Sequence, residues 1–350
     1  MTESEVSGAP PTDAHRLAEW TTLRLGGPVE SLVEATDRNQ LYDAVAACDD
    51  AGEPVLVLGG GSNLVVADDG FPGRVVRIAT SGVVVGGDAC GGAEAVVEAG
   101  EDWDAFVARA AAEEWIGVEA LSGIPGTVGA TPIQNVGAYG QEVAETIAQV
   151  HVYDRLERRT RTLANADCAF GYRTSLFKRE PGRFVVGAVA FQFRLGNLGA
   201  PVQYAELART LGVEVGERVE AARVREAVLA LRRGKGMVLD PEDHDTWSAG
   251  SFFTNPFVEP SELPEGAPAF PQPDGSVKTS AAWLIERAGF AKGYGNDRVS
   301  LSSKHTLALT NRGSATTADL LALAAEIRDG VRATYGIALH PEPTLLNCDF

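Results

Sequence analysis

Residues 55–66 read VLVLGGGSNLVV, so two apolar runs flank three glycines, a serine and an asparagine. Both runs predict short strands, and the glycines between them predict a tight turn. Because glycine lacks a Cβ, successive backbone N–H groups of this turn can close around a phosphate, with Ser62 and Asn63 adding side-chain donors. The turn is not a Walker loop, since no lysine follows the glycines, nor a dinucleotide fingerprint, since strand follows in place of helix. A plain connection between two strands is the alternative.

The segments on both sides of this turn alternate between strand and helix patterns. A strand (SLVEA) precedes the turn, followed by a helix that stops at Gly52 and has an apolar face made of Leu41, Ala44, Val45 and Cys48. Beyond the turn, the patterns predict strands at 74–79, 82–87, 93–100, 147–154 and 184–195, and helices at 102–115, 221–233, 280–288 and 317–335. A mixture of this kind predicts a mixed α and β protein. The length of 350 residues predicts two or three domains.

Composition and charge restrict the compartment and the partners. The chain has no apolar run of about 18 residues, and its polar, acidic first 15 residues are unlike a signal peptide, which predicts a cytoplasmic protein. A net charge of −18 argues against nucleic acid or an anionic membrane as a partner. Four scattered cysteines (Cys48, Cys90, Cys168, Cys348) and five histidines without ligand spacing favour neither disulfides nor a metal site.

A second glycine-rich segment spans residues 121–140, LSGIPGTVGATPIQNVGAYG. It carries five glycines, two prolines and no charge, which favours an ordered backbone that approaches another group closely, such as a flat ring. The alternative is a long surface loop, although such a loop usually carries more charge.

Three shorter segments carry polar side chains in unusual surroundings: FGYRTSLFK (170–178), SAGSFFTNP (248–256) and HPEPTLL (340–346). Arg173 in the first suits a carboxylate or phosphate, and a structural salt bridge is its alternative. Ser251 in the second lacks the G-x-S-x-G pattern of a nucleophile, which leaves a proton donor or a turn residue. Glu342 in the third lies between two prolines that restrict its backbone, at the start of a predicted final strand.

Taken together, the order of these motifs resembles one family. GGGSN, IPGTVGATPIQNVGAYG, YRTS, AGSFFTNP and HPE follow one another between Thr21 and Leu346. The sequence is similar in this respect to the UDP-N-acetylenolpyruvoylglucosamine reductases, also called UDP-N-acetylmuramate dehydrogenases, of bacterial cell-wall (peptidoglycan) synthesis.

The resemblance implies an α+β fold: a two-subdomain FAD-binding fold of the p-cresol methylhydroxylase type, followed by a smaller C-terminal α+β substrate domain. The implied division is a disordered tail at 1–16, FAD-binding subdomains at 17–84 and 85–218, and a substrate-binding domain at 219–350. It also implies a monomer that binds small molecules only.

The implied cofactor is non-covalent FAD, with NADPH as co-substrate. Residues of the glycine turn would hold the FAD pyrophosphate, and residues of the second glycine-rich segment would line the flavin and its ribityl chain. These residues are Gly59, Gly60, Gly61, Ser62 and Asn63 for the former, and Ile124, Gly126, Val128, Gly137 and Ala138 for the latter.

The implied chemistry is reduction of an enolpyruvyl double bond. Hydride would pass from NADPH to the flavin, and then from flavin N5 to the vinyl carbon C3 of the substrate. Arg173 and Glu342 would polarise the enolate-like species, and Ser251 would deliver a proton to C2. The substrate phosphates would contact Lys235, Lys278 and Asn255, and Tyr204 would fold over them. These four residues and Ser251 come from four separate segments of the sequence.

Two rival hypotheses remain at this point. An oxygen-using FAD oxidase of the same fold usually tethers its flavin through a histidine or a cysteine, and GGGSN contains neither. A nucleotide-sugar-binding regulator without catalysis would be expected to lack Arg173, Ser251 or Glu342, and all three are present.

Overall fold

A computed structural model of the protein describes residues 15–88 and 92–350. Of the predicted tail, only His15 and Arg16 fall within this range: the carbonyl of His15 accepts from Val29 N–H at 3.0 Å, and Arg16 forms a β-bridge to Pro28. The rest of that prediction lies outside the described residues.

A first lobe is built around a small parallel sheet. Its elements are β1 (Val29–Ala35), α1 (Arg38–Ala51), β2 (Val55–Leu58), β3 (Leu64–Val66) and β4 (Phe71–Ile78). The sheet order is β1-β4-β2. The Asp37 side chain caps α1 by accepting from Gln40 N–H. Gly52 ends the helix, as the sequence predicts, and has a left-handed conformation. The helix buries Leu41, Val45 and Cys48.

A second lobe contains a larger antiparallel sheet. Its elements are β5 (Val83–Asp88), β6 (Gly92–Glu98), α2 (Trp103–Ala112), β7 (Trp115–Ile116), β8 (Gly137–Ala138), β9 (Gln141–Glu142), β10 (Ile147–Asp154), β11 (Arg159–Ala164), α3 (Leu176–Arg179) and β12 (Phe184–Leu195). The sheet order is β11-β10-β12-β6-β5. Helix α2 packs an aromatic core against β12 through Trp103, Phe106 and Phe191. This core supports the second glycine-rich segment, residues 121–140.

Two helices follow the second lobe, α4 (Ala205–Leu211) and α5 (Ala221–Gly234). They contact each other, and α5 also contacts α2. Val202, Leu207, Val224 and Val228 belong to their shared apolar cluster. Helix α5 falls within the range 219–350 of the predicted substrate domain, yet it packs on the second lobe.

A third lobe has short strands and one long helix. Its elements are β13 (Phe257–Val258), β14 (Phe270–Pro271), β15 (Val277–Lys278), α6 (Ala281–Arg287), β16 (Val299–Leu301), β17 (Leu309–Asn311), α7 (Thr317–Tyr335) and β18 (Thr344–Leu346). A capping box of Thr316 and Asp319 starts α7, and Gly336 ends it. An apolar stripe on this helix, formed by Leu320, Leu323, Ala324, Ile327 and Val331, is buried in the core of this lobe.

The final strand returns to the beginning of the chain. β18 pairs in parallel with β3 of the first lobe, and Thr344 N–H donates to the carbonyl of Asn63 at 2.9 Å. The chain just before β18 also pairs with the third lobe, through a bridge between Phe253 and Pro341. Residues 340–346 therefore connect the glycine turn of the first lobe to the segment that carries Ser251.

The helices described over residues 15–88 and 92–350 include none with the length and apolar character needed to cross a membrane.

Candidate active site

The glycine turn joins β2 to β3 and is enclosed on two sides. A Cβ on Gly61 would lie 1.8 Å from the carbonyl oxygen of Trp20, and one on Gly60 would lie 2.7 Å from Gly126 Cα. Gly61 also has a left-handed φ of 60°. The turn thus needs glycine because the N-terminal segment and the second glycine-rich segment both lie directly against it.

Ser62 and Asn63, predicted as phosphate donors, use their side chains to tie the turn to residues 121–140. Ser62 Oγ donates to the Pro125 carbonyl at 3.0 Å, and Asn63 Nδ2 donates to Gln134 Oε1 at 3.0 Å. By contrast, the backbone N–H groups of Gly60, Gly61 and Ser62 donate to no acceptor in the described part of the chain. The turn therefore presents main-chain donors, and its side chains fix their position.

Residues 121–140 form an ordered segment, as the sequence predicts. The carbonyl of Gly126 accepts from Trp103 N–H at 3.1 Å, and Gly129 N–H donates to Ala99 at 2.9 Å. Val128, predicted beside the flavin, is completely buried in the second-lobe core and exposes no surface to a ligand. Ile124 and Ala138 pack at the edge of the same core and remain partly exposed.

Arg173 and Glu342 come from distant parts of the chain and meet beside residues 121–140. Arg173 Nε lies 3.1 Å from Glu342 Oε1, which is ion-pair range, although the N–H is not aligned for a hydrogen bond. Arg173 Nη2 donates to the Gly137 carbonyl at 2.8 Å. Arg173 itself has a left-handed φ of 52°, an uncommon conformation for a residue with a side chain. The guanidinium is therefore held between a carboxyl group and the backbone of Gly137.

The Glu342 carboxyl group lies in a largely enclosed environment. Its Oε1 accepts from Gln134 Nε2 at 3.4 Å, and its side chain is 13% exposed. Burial raises the pKa of Glu342, and the positive charges of Arg173 and Lys178 partly oppose this rise. The protonated acid is thus favoured relative to a glutamate in water.

Ser251 is positioned next to Glu342 by the main chain. The following residue, Phe252, accepts from Glu342 N–H at 2.8 Å and donates to the Leu307 carbonyl at 2.7 Å. Gly250, immediately before Ser251, has a φ of 70°. Across residues 15–88 and 92–350, the Ser251 hydroxyl has no hydrogen-bond partner of its own. It is therefore available to a ligand.

The sequence interpretation missed two ionisable residues near these groups: Lys178, which contacts Gln134, and His305, which contacts Leu307. Lys178 Nζ donates to Gln134 Oε1 at 3.4 Å, and burial lowers the pKa of Lys178. His305 accepts from Leu307 N–H through Nδ1 at 3.0 Å, and burial, followed by the charge of Lys235, lowers the pKa of His305 to about 4. Lys178 falls in the FGYRTSLFK segment and could have been proposed, whereas nothing local distinguishes His305.

A cavity of about 790 Å³ opens beside Arg173 and is lined by both the second and the third lobe. Tyr172 and Asn255 line it, and Lys278 Nζ lies 4.4 Å from the centre of the Tyr172 ring. Asn255 also accepts from Ala281 N–H at the start of α6. Arg173 and Asn255 thus line one space, and Lys278 contacts its wall through Tyr172.

Lys235 and Tyr204 form a separate group. Lys235 Nζ lies 2.5 Å from Glu206 Oε2 and 5.5 Å from the centre of the Tyr139 ring. Tyr204 packs edge-on against Tyr139, with ring centres 6.1 Å apart, and is 52% exposed. These residues contact the second glycine-rich segment through Tyr139, but they do not line the 790 Å³ cavity.

The residues around the glycine turn fit a bound dinucleotide such as FAD. Thr127 Oγ1 is buried without a hydrogen-bond partner, and it lies 2.8 Å from the point where a Cβ on Gly59 would stand. Free backbone donors and an unpaired hydroxyl at one turn are suited to phosphate oxygens. The absence of side chains at Gly59 and Gly60 lets Thr127 and Gly126 of the second glycine-rich segment lie directly against the turn.

Comparisons with known proteins agree with this geometry. Residues 29–161 match an FAD binding domain family, and residues 240–346 match the family of UDP-N-acetylenolpyruvoylglucosamine reductase C-terminal domains. The UDP-N-acetylenolpyruvoylglucosamine reductase of Cutibacterium acnes is 60% identical over 335 residues, covering 95% of this chain and 89% of that protein. That of Saccharopolyspora erythraea is 55% identical over 361 residues, covering 99% and 98%.

A solved structure supports the same relationship. The crystal structure of UDP-N-acetylenolpyruvylglucosamine reductase from Thermus caldophilus matches with a TM-score of 0.64 and 26% identity, covering 95% of this chain and 98% of that one. The fold is therefore the predicted one, an α+β FAD-binding fold followed by a C-terminal α+β domain. The chain belongs to the UDP-N-acetylenolpyruvoylglucosamine reductase family.

Proposed function

We propose that this chain is an FAD-dependent oxidoreductase that reduces UDP-N-acetylenolpyruvoylglucosamine to UDP-N-acetylmuramate for peptidoglycan synthesis, with NADPH as the electron donor. The observation that carries this proposal is the approach of Arg173 Nε to Glu342 Oε1 at 3.1 Å, where Arg173 also lines the 790 Å³ cavity. Ser251 is linked to this pair through its neighbour Phe252, whose carbonyl accepts from Glu342 N–H. A cation, a largely buried acid and a free hydroxyl are the groups that reduction of an enolpyruvyl carboxylate requires.

FAD bound at this site and reduced by NADPH would supply a hydride for the vinyl carbon C3 of the substrate. Negative charge then moves toward C2 and the carboxylate. Arg173 faces this charge, and Glu342, with its raised pKa, donates a hydrogen bond to it in the protonated form. Both residues are held before substrate arrives, since Gly137 accepts from Arg173 and Gln134 donates to Glu342.

Ser251 completes the addition by giving its hydroxyl proton to C2. A serine hydroxyl is a weak acid, so the proton is transferred as the carbanion character at C2 develops, and solvent then reprotonates the side chain. Its closeness to Glu342 through the Phe252 backbone supports this role, as does its lack of a protein partner.

The remaining predicted residues divide between cofactor and substrate. Gly59, Gly60, Gly61, Ser62 and Asn63 hold the pyrophosphate, with the backbone N–H groups donating and the two side chains fixing the turn. Ile124, Gly126, Gly137 and Ala138 line the flavin, and Val128 lies in the core against which Ile124 and Ala138 pack. Lys278 and Asn255 bind the substrate diphosphate from the cavity side, while Lys235 and Tyr204 approach it from the Tyr139 side after Lys235 exchanges Glu206 for a phosphate.

The wider setting follows from the same reaction. The substrate is a soluble nucleotide sugar, so we propose a cytoplasmic protein. From the family resemblance, we also propose a monomer with small-molecule partners only. The division into 17–84, 85–218 and 219–350 remains a prediction.

An anaerobic spectrophotometric experiment tests the function. The purified protein should carry an oxidised-flavin spectrum that bleaches on adding NADPH and returns on adding UDP-N-acetylenolpyruvoylglucosamine. Ser251→Ala should slow only the return, by about 100-fold or more, since general acid catalysis contributes at least that much.

Ser303→Ala provides the matched serine control, because Ser303 bonds to Asp245 away from the cavity. A reduced flavin that the nucleotide sugar fails to reoxidise in the unmodified protein would contradict the proposed function. Equal slowing of both half-reactions by Ser251→Ala would contradict the role of Ser251 alone.

A further inference from the structure

Gln134 lies at the centre of a short hydrogen-bond chain behind the Glu342 carboxyl group. Its Oε1 accepts from Asn63 Nδ2 at 3.0 Å and from Lys178 Nζ at 3.4 Å. Its Nε2 donates to Glu342 Oε1 at 3.4 Å. The amide thus joins the glycine turn, helix α3, which contains Lys178, and the segment just before β18.

The contact with Lys178 determines which way the Gln134 amide points. The oxygen and the nitrogen of an amide are close in size, so their hydrogen-bond partners distinguish them. A lysine ammonium has three donors and no acceptor, so the Gln134 atom that contacts Lys178 Nζ is the oxygen. The Gln134 nitrogen then points to Glu342, where it can only donate.

The two carboxyl oxygens of Glu342 therefore have different surroundings. Oε1 accepts from Gln134 and lies 3.1 Å from Arg173 Nε, and neither nitrogen can accept a proton in return. Across residues 15–88 and 92–350, Glu342 Oε2 has no hydrogen-bond partner. When Glu342 is neutral, a proton on Oε1 would point at two donors, whereas a proton on Oε2 is free to meet a ligand.

We infer that Gln134 and Lys178 are positioning residues that keep Glu342 Oε1 as an acceptor and so place the acid proton on Oε2, the oxygen left for the substrate. The inference rests on the proposed function in taking Glu342 as a hydrogen-bond donor to the reacting carboxylate. It goes further by assigning the donated proton to one oxygen, and the choice of that oxygen to two residues that do not contact it.

An effect of charge alone is the alternative explanation for Lys178. Burial raises the pKa of Glu342, and the charges of Arg173 and Lys178 oppose that rise. Gln134→Met separates orientation from charge, because it keeps the length of the side chain and the charge of Lys178 but removes the amide. Lys178→Arg keeps a charged donor, and Lys178→Met removes it.

Infrared difference spectroscopy observes the carboxyl group directly, without substrate. Spectra recorded below and above the pKa of Glu342 give the C=O bands of protonated carboxyl groups, and the band missing from Glu342→Gln belongs to Glu342. If the proton lies on Oε2, the carbonyl oxygen is Oε1, and its hydrogen bond from Gln134 lowers the stretching frequency. Gln134→Met should therefore move this band to higher frequency. Gln149→Met, at an exposed position of β10, is the matched control and should leave the band unchanged.

Anaerobic stopped-flow kinetics measure the consequence for the reaction. Gln134→Met should slow reoxidation of the reduced flavin by UDP-N-acetylenolpyruvoylglucosamine by about tenfold or more, since loss of one oriented donor to a developing charge costs about 100-fold. Reduction by NADPH should stay within about twofold, which also shows that the variant is folded and holds FAD. Lys178→Met should slow reoxidation too, and Lys178→Arg should restore it to within about threefold.

The outcomes separate this inference from the proposed function. An unchanged band and rate in Gln134→Met would overturn the inference, and slowing by Lys178→Met alone would then be an effect of charge. If Gln134→Met loses FAD because Asn63 has lost its acceptor, the Lys178 pair decides, and equal bands and rates in Lys178→Met and Lys178→Arg would overturn the inference. A band that moves as expected, in a protein whose reduced flavin the sugar does not reoxidise, would contradict the proposed function while supporting the placement of the proton.

Discussion

At the scale of single residues, Glu342 is notable because burial opposes its ionisation while two cations favour it. Arg173 approaches its Oε1 at 3.1 Å, and Lys178 acts from a larger distance, but burial is the largest influence and the pKa is raised. A raised pKa in the folded state means that the folded protein binds this proton more tightly than the unfolded chain does. The same property that suits Glu342 to donate a hydrogen bond therefore makes stability depend on pH.

Glu342→Gln tests this link. The stabilising contribution of protonated Glu342 is full below the unfolded pKa, about 4.3, and is lost as pH rises through the higher folded pKa. We expect the free energy of unfolding of the unmodified protein to fall more steeply as pH rises above the unfolded pKa than that of Glu342→Gln, which cannot ionise. Urea denaturation at a series of pH values measures both slopes.

The exposed Glu214 provides the control, since Glu214→Gln should keep the slope of the unmodified protein. Identical slopes for the unmodified protein and Glu342→Gln would show that the proton on Glu342 has no part in stability, and would remove the argument for its protonated form.

At the scale of the element, the turn between β2 and β3 is shaped by neighbours that are distant in sequence. Its sequence predicts a tight glycine turn, but not which glycine is indispensable. That depends on Trp20, whose carbonyl oxygen occupies the space of a Cβ on Gly61, and on Gly126, which does the same for Gly60.

Gly61→Ala and Gly212→Ala form a matched pair. Both glycines have left-handed φ values, 60° and 72°, so each substitution carries the same backbone cost of about 1–2 kcal/mol. A Cβ on Gly212 meets nothing within 4 Å, whereas one on Gly61 lies 1.8 Å from the Trp20 carbonyl. Gly61→Ala should therefore lose about 1–3 kcal/mol more in free energy of unfolding. Equal losses in free energy of unfolding, measured by urea denaturation, would show that the N-terminal segment around Trp20 moves aside for the added Cβ without further cost.

Long elements with a clear period were predictable, and short ones were not. The strands at 147–154 and 184–195 and the helix at 317–335 are confirmed to the residue. β11 reads RTRTLA and was missed, because its polar side chains give no buried face from which to recognise a strand. β13, β14 and β15 have two residues each, too few for any period. Glu342 was expected at the start of the last strand, which begins two residues later at Thr344.

At the scale of the whole molecule, the candidate site exists only because segments far apart in the chain converge. Arg173, Ser251 and Glu342 were identified through the resemblance of their motifs, and the sequence alone could not show that they meet. The hydrogen bonds from Asn63 to Gln134 and from Gln134 to Glu342 connect the first, second and last parts of the chain. No local sequence pattern predicts these hydrogen bonds, because donor and acceptor lie far apart in the chain and meet only in the folded protein.

The return of β18 to β3 couples the two ends of the chain, and a single hydrogen bond tests that coupling. Thr344 N–H donates to the carbonyl of Asn63 at 2.9 Å, directly at the end of the glycine turn. Thr344→Pro removes this donor, whereas Thr344→Ala keeps it and loses only an exposed side chain.

We expect Thr344→Pro to lower the free energy of unfolding by about 1–3 kcal/mol and to weaken FAD binding, because Asn63 and the turn lose their support. Thr344→Ala should change neither quantity by more than about 0.5 kcal/mol. If both variants retained full FAD affinity, the C-terminal strand would be a passive edge, and the glycine turn would hold its shape through the first and second lobes alone.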